Sequence, residues 1–283
     1  MTAIQVASPA KLNLYLRILS RREDGYHNLQ TLFQLIDLQD TLTIDTNHTG
    51  QITLDAPQCP CSPQDNLIVQ AALKLKHHCP PHFGCHIQLD KKIPIGGGLG
   101  GGSSNAASTL LTLNRLWNIG LDTDELAQIG TRLGADVPVF VKGQSAWAQG
   151  TGDQLQPTTL PQRWYLVIHP NCHVSTAKLF QHPQLKPQAP QLDTTQFDLR
   201  YTVNDFEPLV LQDYPEIRNA HHWLSQFAPA HLTGTGACVF SVFGDQQSAE
   251  KVAKKTPNSW QSFTVCGLNT SPCLTQLEAT PKL

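Results

Sequence analysis

The sequence predicts a mixed α and β protein built in two parts, and three observations predict it. Segments of apolar–polar alternation, the period of a strand, are interspersed with segments of helical period. Residues 94–105 hold six glycines in twelve positions and lead directly into the helix-compatible run 106–111. Around residues 150–162 the chain turns polar and rich in Pro, Thr and Gln, which places a boundary between parts 1–155 and 156–283.

Residues 5–19 alternate as a strand. Leu12, Leu14 and Leu16 fall on one face, and Lys11, Asn13, Tyr15 and Arg17 on the other. Lys11 and Asn13 therefore project side by side, either as the solvated face of an edge strand or as part of a site. The pair Asp24-Gly25 makes a turn that carries Tyr26 and His27. Residues 29–38 follow, then strands at 41–45 and 51–54 and a helix over 65–76 that starts at Asp65 or Asn66. Residues 86–89 alternate as a strand and feed the glycine stretch, after which a helix runs over about 104–117 and stops near 118–120. A second helix, 123–133, is capped by Asp122 and ended by Gly134 as the residue just past its C-terminus. Asp136 stands next, before Val137-Pro138, where an aspartate serves either as a helix cap or as a reactive carboxylate. The second part reads as strand 164–169, a long surface loop 181–197 and helix 216–227. The glycine turn Thr233-Gly234-Thr235-Gly236-Ala237, strand 238–243, helix 246–255 and strand 262–267 complete it.

Composition sets limits on what the protein does. With 40% hydrophobic and 15% charged residues over 283 positions, the chain has the makings of a folded core. Twenty Lys and Arg against 22 Asp and Glu leave a net charge of −2, which recruits neither nucleic acid nor an anionic membrane. No apolar run reaches the length of a membrane span, and residues 1–5 lack the basic start of a signal peptide, so a cytoplasmic location is expected. In that compartment the eight cysteines are reduced thiols. The His- and Cys-rich segment 77–86 resembles a metal tract but lacks the spacings that define zinc sites, and Cys59-Pro60-Cys61 reads as loop.

The glycine stretch carries the chemistry. Backbone without Cβ atoms wraps closely around a ligand, and its N–H groups followed by the positive end of a helix suit phosphate. A flexible linker is not followed at once by an amphipathic helix. A Walker P-loop needs Lys before its Ser or Thr, and this loop has no Lys. Gly96, Gly98 and Gly101 match the dinucleotide pattern G-x-G-x-x-G, but a glycine-saturated stretch satisfies it by chance, and Asp122 sits where a helix begins.

Three segments in fixed order, Ser8-Pro9-Ala10-Lys11-Leu12-Asn13, the glycine stretch, and Leu232-Thr233-Gly234-Thr235-Gly236-Ala237, resemble the GHMP kinases, small-molecule kinases that include homoserine and mevalonate kinases. Gly101 and Gly102 before Ser103-Ser104-Asn105, the run Asp24-Gly25-Tyr26-His27-Asn28-Leu29-Gln30, and Leu133-Gly134-Ala135-Asp136-Val137-Pro138 narrow the resemblance to the branch acting on a cytidine-diphosphate-linked methylerythritol. The resemblance spans essentially the whole chain. It implies a two-domain α+β fold: an N-terminal domain like domain 2 of ribosomal protein S-five, a ferredoxin-like C-terminal domain, and the active site in the cleft between them. The implied reaction moves the γ-phosphoryl of ATP to the 2-hydroxyl of the erythritol unit, a step of the non-mevalonate route to isoprenoid precursors. A small-molecule substrate, no nucleic acid or membrane partner, and a monomer or weak homodimer go with it.

The resemblance also implies roles. Asp136 is the general base and Lys11 its electrostatic and orienting partner. Pro94, Ile95, Gly96, Gly97, Gly98, Leu99, Gly100, Gly101, Gly102, Ser103 and Ser104 bind the triphosphate, and Ser103 or, as the metal candidate, Ser104 contacts Mg²⁺. Tyr26, Phe33 and Phe180 are stacking candidates for cytosine, with core packing the alternative for the last two, and His27 contacts the base edge. Asn13 and Thr176 reach the rest of the substrate, while Gly234 and Gly236 let the C-terminal domain approach. Two other readings stay open: another GHMP kinase, against which Gly25-Tyr26-His27 argues, and a non-catalytic nucleotide sensor, against which retention of both Lys11 and Asp136 argues.

Overall fold

A computed structural model describes residues 3–187, 189–198 and 201–279; Met1 and Thr2 of the N-terminal segment and Gln188 of the long loop lie outside the described residues. The first part contains β1 (Ile4–Arg21), β2 (His27–Asn47), β3 (Ile52–Asp55), α1 (Leu67–Lys76), β4 (Gly84–Asp90) and α2 (Gly101–Leu116). It continues through α3 (Thr123–Thr131), α4 (Val137–Lys142), β5 (Ala146–Gln149) and β6 (Gln154–Pro157). The second contains β7 (Trp164–His169), α5 (Thr176–Phe180), β8 (Val203–Asn204), α6 (Glu207–Asp213), α7 (Pro215–Ser225) and β9 (Ala230–Leu232). It ends with β10 (Val239–Phe243), α8 (Gln246–Ala253), β11 (Gln261–Leu268) and α9 (Pro272–Ala279).

The expected strand 41–45 is the later part of a longer one, because β2 runs unbroken from residue 27 to 47 and pairs antiparallel with β1. Both faces of β1 are buried, with Lys11 and Asn13 each 3% exposed, so the solvated-edge alternative fails. The expected alternation also breaks. The register shifts between Asn13 and Tyr15, and beyond that bulge Tyr15 joins the cluster of Leu12 and Leu14, while Leu16 turns to a different core. One extra residue in one strand reverses which face every later side chain occupies.

In the second part the strand order is β11-β7-β10-β9, all antiparallel, with α7 between β7 and β9 and α8 between β10 and β11. This is the βαββαβ arrangement of a ferredoxin-like unit. β11 also pairs with β2, which joins the two sheets, and α9 returns to the first part, where Cys273 and Leu277 enter its core. Among the described residues no helix is long and apolar enough to cross a membrane.

Two helix limits differ from expectation. α2 begins at Gly101, with Gly100 as its N-cap in the left-handed region, so the last glycines form its first turn. Low glycine propensity hides that turn from the sequence. α3 carries the capping box of Asp122 and Glu125, but Arg132 ends it in a right-handed conformation and Gly134 is not the residue just past its terminus. The N–H of Gly134 instead donates to the carbonyl of Gly130 at 3.1 Å, and the chain turns at once into α4.

Candidate active site

β1 presents Lys11 beside the glycine stretch because the two are joined by their backbones: the N–H of Lys11 donates to the carbonyl of Leu99 at 3.0 Å. The Lys11 ammonium then finds two acceptors and an ionic partner. It donates to Asn13 Oδ1 at 2.6 Å and to the carbonyl of Gly98 at 2.8 Å, and Asp136 Oδ2 lies 3.4 Å away. An ammonium has three donors and no acceptor, so two are committed to these oxygens and the third is left beside the carboxylate. Asn13 is held in turn: its Nδ2 donates to Thr31 Oγ1 at 2.8 Å, and that hydroxyl donates to the carbonyl of Tyr15 at 2.6 Å.

Asp136 sits at the N-cap of α4, yet its carboxylate makes no capping bond. It is one-third exposed, and its ionic partner is Lys11. The capping reading of this residue is thus not met, since a capping aspartate spends its oxygens on the helix and this one does not.

The second glycine turn closes on the first. The N–H groups of Ala237 and Cys238 each donate at 3.1 Å, to the carbonyls of Gly96 and Gly97. The backbone N–H of Asn13 donates to Thr233 Oγ1 at 3.0 Å. The approach is so close that a Cβ on Gly98 would stand 2.4 Å from the Thr233 carbonyl oxygen. One on Gly234 would stand 3.1 Å from the Gly98 oxygen and 3.4 Å from Lys11 Nζ. Both glycines have positive φ, +74° and +57°, so conformation and space each demand glycine there.

The cradle faces a cavity of about 390 Å³ that reaches from Gly96–Ser103 to Asn66, Leu67 and Ile68. The first backbone bond of α2 is Ser104 N–H to the Gly100 carbonyl at 2.9 Å, leaving the N–H groups of Gly101, Gly102 and Ser103 without a partner in the helix. Ser103 lines this cavity. Ser104 does not: it is fully buried, and its hydroxyl makes no hydrogen bond. The expectation that Ser104 meets a metal is corrected accordingly, because α2 starts three residues early and turns that side chain inward. Among the described residues no group of three or more His, Cys, Asp or Glu could hold a metal ion, segment 77–86 included.

The candidates for the base do not line this cavity. His27, 6% exposed, has its ring 5.3 Å from that of Phe180, and Phe180 meets Phe206 edge-on at 4.9 Å. Burial, then the charge of Arg21, pushes the His27 imidazole below its ordinary range, so it is neutral at pH 7. Tyr26 is 65% exposed on the preceding turn. Thr176 Oγ1 and Thr235 Oγ1 share a hydrogen bond of 2.8 Å, which ties α5 to the second glycine turn. Phe33 is corrected: 2% exposed, it packs in the first core with its ring 5.7 Å from Lys11 Nζ, and offers no free face to a base. Sequence reasoning missed Thr31 and Thr233, whose hydroxyls hold Asn13, and Asp40; nothing in local pattern marks a residue whose partners are far away in the chain.

The fold agrees with comparisons to known proteins. Residues 66–144 match the GHMP kinases N terminal domain, and residues 191–261 match the GHMP kinases C terminal domain. A relative from Hahella chejuensis, named 4-diphosphocytidyl-2-C-methyl-D-erythritol kinase, is 49% identical over 97% of each chain. The solved structure of a 4-(cytidine 5'-diphospho)-2C-methyl-D-erythritol kinase superimposes with a TM-score of 0.83 at 29% identity, covering 94% of this chain and all of that one. A mevalonate kinase structure, with a TM-score of 0.69 and 16% identity over 94% of this chain and 99% of its own, shares the fold. The chain belongs to the GHMP kinases and, within them, to the 4-diphosphocytidyl-2-C-methyl-D-erythritol kinase family.

Proposed function

We propose that this chain transfers the γ-phosphoryl group of ATP to the 2-hydroxyl of 4-diphosphocytidyl-2-C-methyl-D-erythritol. The observation that carries the reading is the 3.4 Å pair of Lys11 and Asp136 beside a cradle whose two glycine turns are hydrogen-bonded to each other. The acceptor oxygen forms a bond to the γ-phosphorus while the bond to the β–γ bridging oxygen breaks. ADP leaves, and the acceptor's proton passes to Asp136. The free N–H groups at the start of α2 and the positive end of that helix hold the phosphates. Lys11 orients the Asp136 carboxylate and steadies charge on the oxygens around the transferring group. In a loose transition state orientation of the acceptor by the carboxylate outweighs its basicity.

Mg²⁺ fits this cradle as an ion carried by the nucleotide, neutralising phosphate charge, with the Ser103 hydroxyl as the protein's ligand candidate. Neutral His27 reads the cytosine edge, Phe180 and Tyr26 offer aromatic faces, and Thr176 and Asn13 reach the rest of the acceptor. The test is release of ADP from ATP, Mg²⁺ and the cytidyl-erythritol by purified protein. Turnover with homoserine or mevalonate instead would assign a different acceptor. ATP binding without turnover of any alcohol would make the protein a sensor.

A further inference from the structure

A second charged pair is buried beside the cradle, and the chemistry above does not use it. Asp40, on β2, is fully buried and accepts four hydrogen bonds. Its Oδ2 takes Lys91 Nζ at 2.6 Å and Asn105 Nδ2 at 3.1 Å. Its Oδ1 takes the backbone N–H groups of Lys92 at 2.7 Å and Ile93 at 2.8 Å. Four donors fill the acceptor capacity of a carboxylate.

The four partners share a location. Lys92 and Ile93 are the two residues before Pro94, where the cradle begins. Asn105 lies on α2, just beyond the cradle's far end. Lys91 lines the nucleotide cavity, and its ammonium is so close to the first turn of α2 that a Cβ on Gly101 would stand 2.9 Å from Nζ. One carboxylate therefore ties both ends of the glycine stretch and fixes a cation at the start of the helix. A cation at a helix N-terminus opposes the helix dipole. A buried ion pair is by itself weak evidence of a purely stabilising role. Its position makes sense when an anion occupies the cavity.

We propose that Asp40 is the positioning residue of the nucleotide cradle: it sets the spacing of the glycine stretch and aims the Lys91 ammonium at the bound polyphosphate. This rests on ATP occupying the cavity. The test is Asp40→Asn, which keeps one oxygen for the backbone N–H groups but turns an amide toward the Lys91 and Asn105 donors. The KM for ATP is expected to rise at least tenfold. KM for the acceptor should stay within twofold and kcat within threefold, and a non-hydrolysable ATP analogue should lose affinity in calorimetry by the same factor as the KM. Loss of folded protein alone would lower Vmax and leave both KM values in place. Asn105→Ala, which keeps the ion pair intact, is the second variant and should raise the ATP KM about threefold. An unchanged ATP KM in either folded variant, or equal rises in both KM values, would overturn the assignment. A wild-type protein that neither turns over nor binds the analogue would instead defeat the kinase reading itself.

Discussion

Replacing Asp136 by Asn separates chemistry from folding. In the structure the carboxylate caps nothing and is one-third exposed, with the Lys11 ammonium 3.4 Å away as its ionic partner. A partly exposed ion pair is worth about 0.2–1 kcal/mol, and a negative charge at a helix start about 0.3–1 kcal/mol. Their loss amounts to about 1 kcal/mol, or a fall of about 2–4 °C in Tm for a chain of this size. Loss of a positioned general base costs about 10²–10⁴ in rate, which is roughly 3–5 kcal/mol of barrier. The damage to catalysis should thus exceed the damage to stability several-fold. ADP release coupled to NADH oxidation reads the first, and scanning calorimetry the second. A variant with kcat within threefold of wild type refutes the base assignment. A Tm lowered by about 10 °C or more would make the carboxylate structural, against the energies just given.

Gly98→Ala places a Cβ 2.4 Å from one backbone oxygen and 2.8 Å from another at a φ of +74°, and neither oxygen can swing aside. The two glycine turns should part, with roughly 1–3 kcal/mol lost in urea unfolding and about a hundredfold lost in kcat; near-wild-type values for both would show that their docking is dispensable. Tyr26→Ala should leave Tm unchanged and raise acceptor KM about tenfold or more, as the loss of one stacked base would. Phe33→Ala should destabilise by about 3–5 kcal/mol through lost packing, and the reverse pattern would restore Phe33 as the stacking residue. Burial lowers the titration of both His27 and His169, so the unfolded chain takes up their protons first as pH falls through 6.5. Stability should therefore decline with acidification below that point, and His27→Gln or His169→Gln should flatten the curve measured by thermal melts; identical slopes would refute the shift.

The cradle was legible because glycine saturation followed by a helix is a local pattern with a local cause. The capping box at Asp122 and the strand nature of residues 5–19 were legible for the same reason. The six-residue α4 was not, since it is too short to show a helical period and its residues are almost all apolar. Nor was the phase reversal after Asn13, because a bulge is a property of two paired strands and β1 alone does not record it. Phe33 stayed ambiguous for a related reason: an aromatic ring looks the same in sequence whether it packs under a lysine or waits for a base.

By itself the sequence determined the chemical vocabulary of this protein: glycines able to take positive φ, a lysine and an asparagine two apart on a strand, and an aspartate ahead of Val-Pro. Those features depend on bonded geometry and on nearest neighbours in the chain. Tertiary structure alone decided that Asp136 is not a cap, that Ser104 faces inward, and that Asp40 gathers donors from positions 91, 92, 93 and 105. Such decisions are made by hydrogen bonds and contacts between segments that meet only once hydrophobic burial has brought the strands and helices together.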